Sequence, residues 1–322
     1  MKALTLQDSE SHLIITDKEI SAEHTEREIV KLAYAALNHR DVWMTKGMYP
    51  GLRYGTTLGS CGAGYLNERK VLINPNINWG EDPDYPDHNN YSILGMPIDG
   101  TMAEYISIPK DRVHDIPGHL KLEEAAALPL AGLTAYRALF SKAQLKEDDK
   151  VLISGIGGGV ALMAFQFAIA IGAEVYVTSS QQSKIDEAIK LGATGGANYT
   201  EENWHKSFVK EHGPVDVVID SAGGEGYNNL LKTCAPLARV VNYGGTRGNA
   251  VFSPQLLFWK ELQLLGSTMG NDDEFVQMLE FVSEFEIHPV VDEIFAFDDY
   301  KSAFEKMDAS RQFGKILLSI NP

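Results

Sequence analysis

Residues 154–161 read Ser-Gly-Ile-Gly-Gly-Gly-Val-Ala. Glycines let a backbone turn sharply and come close to a bulky anion. The apolar run Val151-Leu-Ile153 precedes them, and a helical pattern over 160–171 follows at once. A helix that starts there aims unpaired N–H groups and a partial positive charge at the turn. Gly155, Gly157, Gly158, Gly159 and Val160 are therefore candidate ligands of a pyrophosphate. By itself the glycine pattern also fits a plain strand–helix turn. The strand before it, the helix after it and a second strand about 20 residues on favour a dinucleotide.

The second strand, Glu174–Thr178, runs into Ser179 and Ser180 with no acid at its end. A site for NAD usually places Asp or Glu there, to accept from the ribose 2′-hydroxyl. Two hydroxyls with Lys184 shortly after offer donors and positive charge, which suit a 2′-phosphate. The expected cofactor is NADPH. Read alone, Lys184 is also an ordinary solvated lysine at a helix start. Ser221 and Gly244–Gly245 follow the strands Val215–Asp220 and Arg239–Tyr243, at the carboxyl edge where such a cofactor lies.

The elements that position these residues change character along the chain. Residues 1–110 read as β-rich, with strands at Ile29–Leu37, Val71–Ile73 and Ala103–Ile108. Residues 74–95, rich in Asn, Asp and Pro, read as a long ordered loop. From about residue 120 the pattern alternates. Helices at Leu122–Leu128 and Gly132–Phe140, broken by Pro129, lead into the strand–helix series that ends at Leu262–Gly266. Lys184–Leu191, capped by Gly192, and about 225–234 supply helices within that series. Such alternation implies a parallel sheet buried on both faces. The tail has helices at about 273–285 and 299–308 and a last strand, Lys315–Ile320.

The 322 residues suggest about two domains. With 44 acidic and 28 basic residues the formal charge is −16, which disfavours nucleic acid and anionic membrane surfaces as partners. Two cysteines cannot build a disulfide framework or a cysteine-rich zinc lobe. The N-terminus has no signal-peptide core. The longest apolar stretch, Val160–Ala173, falls short of the roughly 18 residues of a membrane span and carries Gln166. A cytoplasmic protein is expected.

Several segments in order resemble the medium-chain dehydrogenase/reductase superfamily, most of all its zinc-independent quinone oxidoreductase and enoyl-reductase branch. They are Asn38-His-Arg-Asp41 with Lys46-Gly-Met-Tyr-Pro50, Leu58-Gly-Ser-Cys-Gly-Ala-Gly64, and Gly100-Thr-Met-Ala-Glu-Tyr105. Residues 125–136, the glycine loop and Gly314-Lys-Ile-Leu-Leu318 complete the set. The resemblance covers essentially the whole chain. It implies an α/β architecture: a GroES-like β-rich domain over 1–123, a Rossmann doubly wound parallel sheet over 124–270, and a return to the first domain over 271–322. It also implies a cleft between them for nicotinamide and substrate, and a homodimer.

The zinc enzymes of that superfamily hold a catalytic metal through a Cys, a His and a further Cys or Asp. The matching positions here hold Asn38, Ser60 and an apolar run near Leu128, none of which supplies zinc-ligand chemistry. The segment that would carry four structural-zinc cysteines, 74–95, has none. No metal is expected, and the chemistry shifts toward reducing a quinone or the C=C bond of an α,β-unsaturated carbonyl compound. The resemblance makes Tyr49 the proton donor, or else a packed turn aromatic. It sets Thr134 near the nicotinamide and Tyr199 beside the 2′-phosphate. Asn38 either bonds substrate or cofactor, or caps a turn, and Asp41 orients neighbours. Cys61 stands where relatives usually have an acid and reads as a small buried side chain. Leu66 leads almost directly to Val71, so the β domain is trimmed. The alternatives are a metal-free alcohol dehydrogenase or carbonyl reductase, and a non-catalytic NADPH-binding sensor on the same fold.

Overall fold

Residues 1–8, 12–20 and 26–321 are described by a computed structural model. They divide into one unit of Met1–Leu133 with Asn271–Pro322 and a second of Thr134–Gly270. The divisions fall at 133/134 and 270/271, against the expected 123/124 and 270/271.

In the second unit the sheet runs Gly195–Asn198, Glu174–Ser179, Lys150–Ile153, Val215–Asp220, Cys234–Asn242, Gln263–Gly266. Every pairing is parallel. Numbered along the chain the order is 3-2-1-4-5-6, the doubly wound Rossmann arrangement. The central strands are apolar on both faces because helices cover both: Val151, Leu152, Ile153, Val217, Val218 and Ile219 are all fully buried. The order reverses between Lys150–Ile153 and Val215–Asp220. The glycine loop leaves the first of these strands and Ser221 follows the second, so both stand at the switch point.

The first unit is built on a seven-stranded sheet. Its spine is Arg27–Ala36, which pairs antiparallel with Cys61–Leu66, Tyr105–Pro109 and the returning strand Lys315–Ser319. Cys61–Leu66 and Arg69–Ile73 form a hairpin whose two-residue turn, Asn67-Glu68, follows the Leu66↔Arg69 pair. Asn67 takes the left-handed conformation there (φ 55°), which Asn tolerates better than most residues. This tight turn is the trimmed segment of the sequence. Val291–Ala296 lies parallel to Lys315–Ser319. Beneath, Leu4, Leu37, Met44, Leu58, Phe304 and Leu318 share one core with Tyr49 packed against it.

Three local expectations change. The 74–95 segment contains short paired strands, Asn76–Ile77 and Ser92–Leu94, with Pro97–Ile98 as a third. The two helices are separate at Pro129, but the second, Pro129–Tyr136, starts at the proline itself, three residues earlier than Gly132; a first-turn proline loses no helical N–H bond. A π-helical turn, Arg137–Lys142, follows it. The helices His39–Thr45, Trp204–His212 and Pro254–Lys260 add to those read from the sequence. Among the described residues, no helix is long and apolar enough to cross a membrane.

Candidate active site

In the second unit the glycine loop is shaped for a close visitor. Gly155 has φ +68° and Gly157 φ +113°, conformations that L side chains rarely adopt. A Cβ on Gly155 would meet nothing within 4 Å, so the turn is open above that residue. Gly158 caps the 12-residue helix Gly159–Ala170, whose first turn presents its N–H groups with Gly159 and Val160 half-buried. A pyrophosphate fits this cradle.

A buried network holds the loop from below. The Ser154 hydroxyl donates to Asp220 Oδ1. Asp220 Oδ2 accepts from Gly223 N (2.9 Å) and Asn242 Nδ2 (3.1 Å), and Tyr227 donates to Asn242 Oδ1 (2.5 Å). Asp220 is fully buried, and these bonds tie the ends of three neighbouring strands together. Burial first, then the nearby Asp220 and Cys234, push the Tyr227 phenol up to about 12. Ser221 is half-buried against Gly244, where an added Cβ would come 3.0 Å from the Ser221 carbonyl. Gly244 and Gly245 are exposed on the same carboxyl edge.

At the far side of that edge, Ser179 is buried and its Oγ accepts from Gln181 N (3.1 Å). Ser180 is exposed. Lys184 is half-buried in the first turn of Gln182–Lys190, and its N–H bonds the Gln181 carbonyl (3.1 Å). Tyr199 donates its backbone N–H to the Ser179 carbonyl (3.0 Å) and exposes its ring. The four residues expected around a 2′-phosphate therefore cluster at one strand end. Thr134 is buried on its helix, with its hydroxyl 3.8 Å from the Met269 sulfur.

The first unit gathers two polar clusters from residues far apart in sequence. In one, Lys315 of the returning strand is buried, and its Nζ donates to the Leu37 carbonyl and to Asn38 Oδ1, both at 2.6 Å. Asn38 Nδ2 then faces Cys61 Sγ (3.2 Å) and the Ala36 carbonyl (3.5 Å). Cys61 Sγ also accepts from Leu130 N (3.2 Å). Asn38 caps the helix His39–Thr45, and its backbone N–H donates to Asp41 Oδ2 (2.7 Å). Burial lowers the Lys315 ammonium from its ordinary value, against the pull of Cys61 and Asp41. Burial raises the Asp41 carboxyl, against Arg40 and the Asn38 N–H. Asn38 thus spends both ends of its amide inside the fold, on Lys315 at one end and on Cys61 and the Ala36 carbonyl at the other. Asp41 orients it, as expected, and Cys61 is fully buried.

The other cluster centres on Arg40, buried on the same short helix. Its guanidinium donates to the Tyr49 hydroxyl through Nε (3.1 Å) and Nη2 (2.9 Å). It also donates to the Leu94 carbonyl (2.6 Å), the Met96 carbonyl (3.2 Å) and Ser60 Oγ. Ser60 in turn donates to the Leu94 carbonyl (2.9 Å). Tyr49 is half-buried. Sequence reading passed over Arg40 and Lys315. Each sits in a quoted motif, yet a single Arg or Lys is ordinarily solvated, and only tertiary burial marks these two.

These residues do not fit a catalytic zinc. Asn38 is held by an ammonium, Ser60 by a guanidinium, and Leu128 is fully buried and apolar. A cation at Asn38 would stand beside Lys315 with no thiolate, imidazole or carboxylate trio to repay it. Among the described residues no three His, Cys, Asp or Glu side chains are grouped to hold a metal ion.

Comparison with known proteins adds a frame. Residues 159–284 match the family model of zinc-binding dehydrogenases. A zinc-type alcohol dehydrogenase-like protein of Leptosphaeria maculans is 35% identical, with 91% of this chain and 90% of that protein covered. The crystal structure of an NAD-dependent alcohol dehydrogenase superposes with a TM-score of 0.93 at 29% identity, over 99% of this chain and 100% of that one. The quinone oxidoreductase of Thermus thermophilus, solved alone and in complex with NADPH, superposes with a TM-score of 0.84 at 26% identity, with the same coverage.

Proposed function

The chain belongs to the medium-chain dehydrogenase/reductase superfamily, a family of oxidoreductases, and on that premise we propose that it is a zinc-free, NADPH-dependent reductase of quinones or of the C=C bond of α,β-unsaturated carbonyl compounds. The observation that carries this reading is the fate of the zinc-ligand positions. Asn38 and Ser60 are bound up with Lys315 and Arg40, so the first unit places buried cations of its own where a metal set would need anionic or imidazole ligands. Without a Lewis acid, the favoured acceptors are carbons already electron-poor.

A reduced nicotinamide supplies the hydride in this chemistry. The glycine loop and the helix behind it bind the pyrophosphate, and the Ser154–Asp220 network keeps the loop in shape. Ser179, Ser180, Lys184 and Tyr199 take the 2′-phosphate; Ser221, Gly244 and Gly245 flank the cofactor along the strand ends. Thr134 lies near the nicotinamide. Tyr49 donates the proton that completes the reduction. Asn38 serves by holding the first unit's polar cluster in place. The T. thermophilus relative supports the choice of NADPH, since its structure was solved in complex with that cofactor.

A second reading, a metal-free alcohol dehydrogenase or carbonyl reductase, is favoured by the names of the L. maculans and NAD-dependent relatives. The deciding experiment measures oxidation of NADPH and of NADH against quinones, enals, enones, enoyl thioesters and saturated aldehydes, with and without chelator. Fast, chelator-insensitive NADPH oxidation with quinones or activated alkenes supports the proposal. Turnover confined to saturated aldehydes, or abolished by chelator, overturns it. We further propose a cytoplasmic homodimer.

A further inference from the structure

We propose that Arg40 is the positioning residue that makes Tyr49 a proton donor. This rests on the reading of Tyr49 given above and names the group that makes that reading work.

The guanidinium of Arg40 has five N–H bonds to give, and all five are placed. Two converge on the Tyr49 oxygen, and the others hold the Leu94 carbonyl, the Met96 carbonyl and Ser60 Oγ. Every acceptor is neutral. The Asp41 carboxyl next in sequence feels this charge but does not bond it, and a buried cation bonded only to neutral acceptors is costly, whereas a phenol that merely packs could be satisfied by any neutral donor. The guanidinium carbon also lies 4.8 Å from the centre of the Tyr49 ring, so the cation is set against the ring as well as its oxygen.

This geometry assigns the phenol one direction of action. With two N–H groups on its oxygen, the acceptor side of the hydroxyl is taken, and its own hydrogen is left to donate. Among the described residues no side chain or carbonyl accepts that hydrogen. The other three bonds of Arg40 fix the fork to the backbone, so it neither swings away nor follows a departing proton. Ser60, at a position where the zinc-dependent members keep a metal ligand, is one of those anchors.

In the reduction, hydride and its electron pair join the β-carbon of the alkene, and the π pair moves onto the carbonyl as an enolate. The Tyr49 O–H bond breaks, its proton joins the enolate, and its electron pair stays on the phenol oxygen. The two Arg40 N–H bonds then become charge-assisted on both sides, which strengthens them as charge develops. A proton from solvent restores the phenol.

The test is a double-mutant cycle on turnover, using the most rapidly reduced enone, enal or enoyl thioester with NADPH, and a solvent deuterium isotope effect for each variant. Tyr49→Phe should lower kcat by about 10²–10³, the scale of one lost oxyanion donor. Arg40→Lys keeps the charge and loses the fork, and should lower kcat by about 10-fold or more while the KM for NADPH stays within about 2-fold. In the Tyr49→Phe background the Arg40→Lys change should cost almost nothing further, and its isotope effect should match that of Tyr49→Phe alone. Losses that multiply, or an Arg40→Lys enzyme at full turnover, overturn the proposal. A Tyr49→Phe enzyme at full turnover instead removes the proton-donor reading beneath it. Should Arg40→Lys not fold, as a melting curve would show, Ser60→Ala loosens one anchor of the fork and is read through the same cycle.

Discussion

Lys184 concentrates the question of cofactor choice in one side chain. It lies in the first turn of its helix, within a cluster of Ser179, Ser180 and Tyr199, and no acid ends the neighbouring strand. A 2′-phosphate there would take a charged hydrogen bond that a 2′-hydroxyl does not need. Lys184→Ala should therefore weaken NADPH by about 1–3 kcal/mol and leave NADH nearly untouched. Calorimetric titration with both cofactors reads this directly; wild-type protein that binds both equally well would remove NADPH preference from the account. Tyr49 makes a second prediction, about substrate. A quinone is a stronger electrophile than an enone and needs less help from a proton donor. Tyr49→Phe should thus slow enone reduction far more than quinone reduction, in side-by-side steady-state assays with NADPH. Equal losses would mean that the phenol acts before the substrates diverge in chemistry, as a packing group.

Elements differ in how openly the sequence declares them. The glycine loop was legible because its signal is local: strand, turn and helix lie within about 20 residues, and Gly155 and Gly157 take positive φ values that the turn requires. The Lys315–Asn38 bond joins residues from opposite ends of the chain, so no spacing rule reaches it. Trp204–His212 escaped although Trp204 and Phe208 lie one turn apart and are buried; it is only nine residues long, and its cap, Asn203, sits in the left-handed region (φ 58°) rather than in the usual extended N-cap geometry. The 74–95 segment read as loop because its strands are two and three residues long, too short for alternation to show. The strand Cys234–Asn242 began earlier than its apolar run, and its first residue carries a pH prediction. Cys234 is buried, and burial pushes its thiol up to about 12 from an ordinary 9.0. Below about pH 9 folded and unfolded chains both keep the proton. Above it the unfolded chain loses the proton and the folded one does not, so stability falls as pH rises through about 9 to 12. The slope is at most about 1.4 kcal/mol per pH unit for this group. Tyr227 adds a like loss from its ordinary 10.0 up to about 12. Melting temperatures across that range should decline, and Cys234→Ala should flatten the part between pH 9 and 10. An unchanged slope there would take Cys234 out of the alkaline transition.

At the scale of the whole molecule, the rim of the second unit's sheet is the surface that bears on assembly. Gln263–Gly266 is an edge strand with a row of backbone groups that, among the described residues, no neighbouring strand pairs. The helix before it, Pro254–Lys260, turns Phe258 and Trp259 outward at 59% and 78% exposure. Leu237, on the adjoining strand Cys234–Asn242, is 60% exposed. Lone exposed apolar residues are ordinary, but large ones grouped beside a bare edge mark a surface that associates. The homodimer proposed above would use this surface: two such edges can pair about a twofold axis, and the aromatic side chains would then leave water together. Each copy carries a formal charge of −16, so association has to overcome mutual repulsion, and salt should favour it. The expected result is a dimer by light scattering at micromolar concentration and about 0.15 M salt, with more monomer as salt is withdrawn. Trp259→Glu adds a charge to the patch and removes its largest ring, and should shift the protein to monomer without lowering the melting temperature of the dilute chain. A wild-type monomer under these conditions would leave the edge to solvent, and a Trp259→Glu dimer of full strength would move the interface elsewhere.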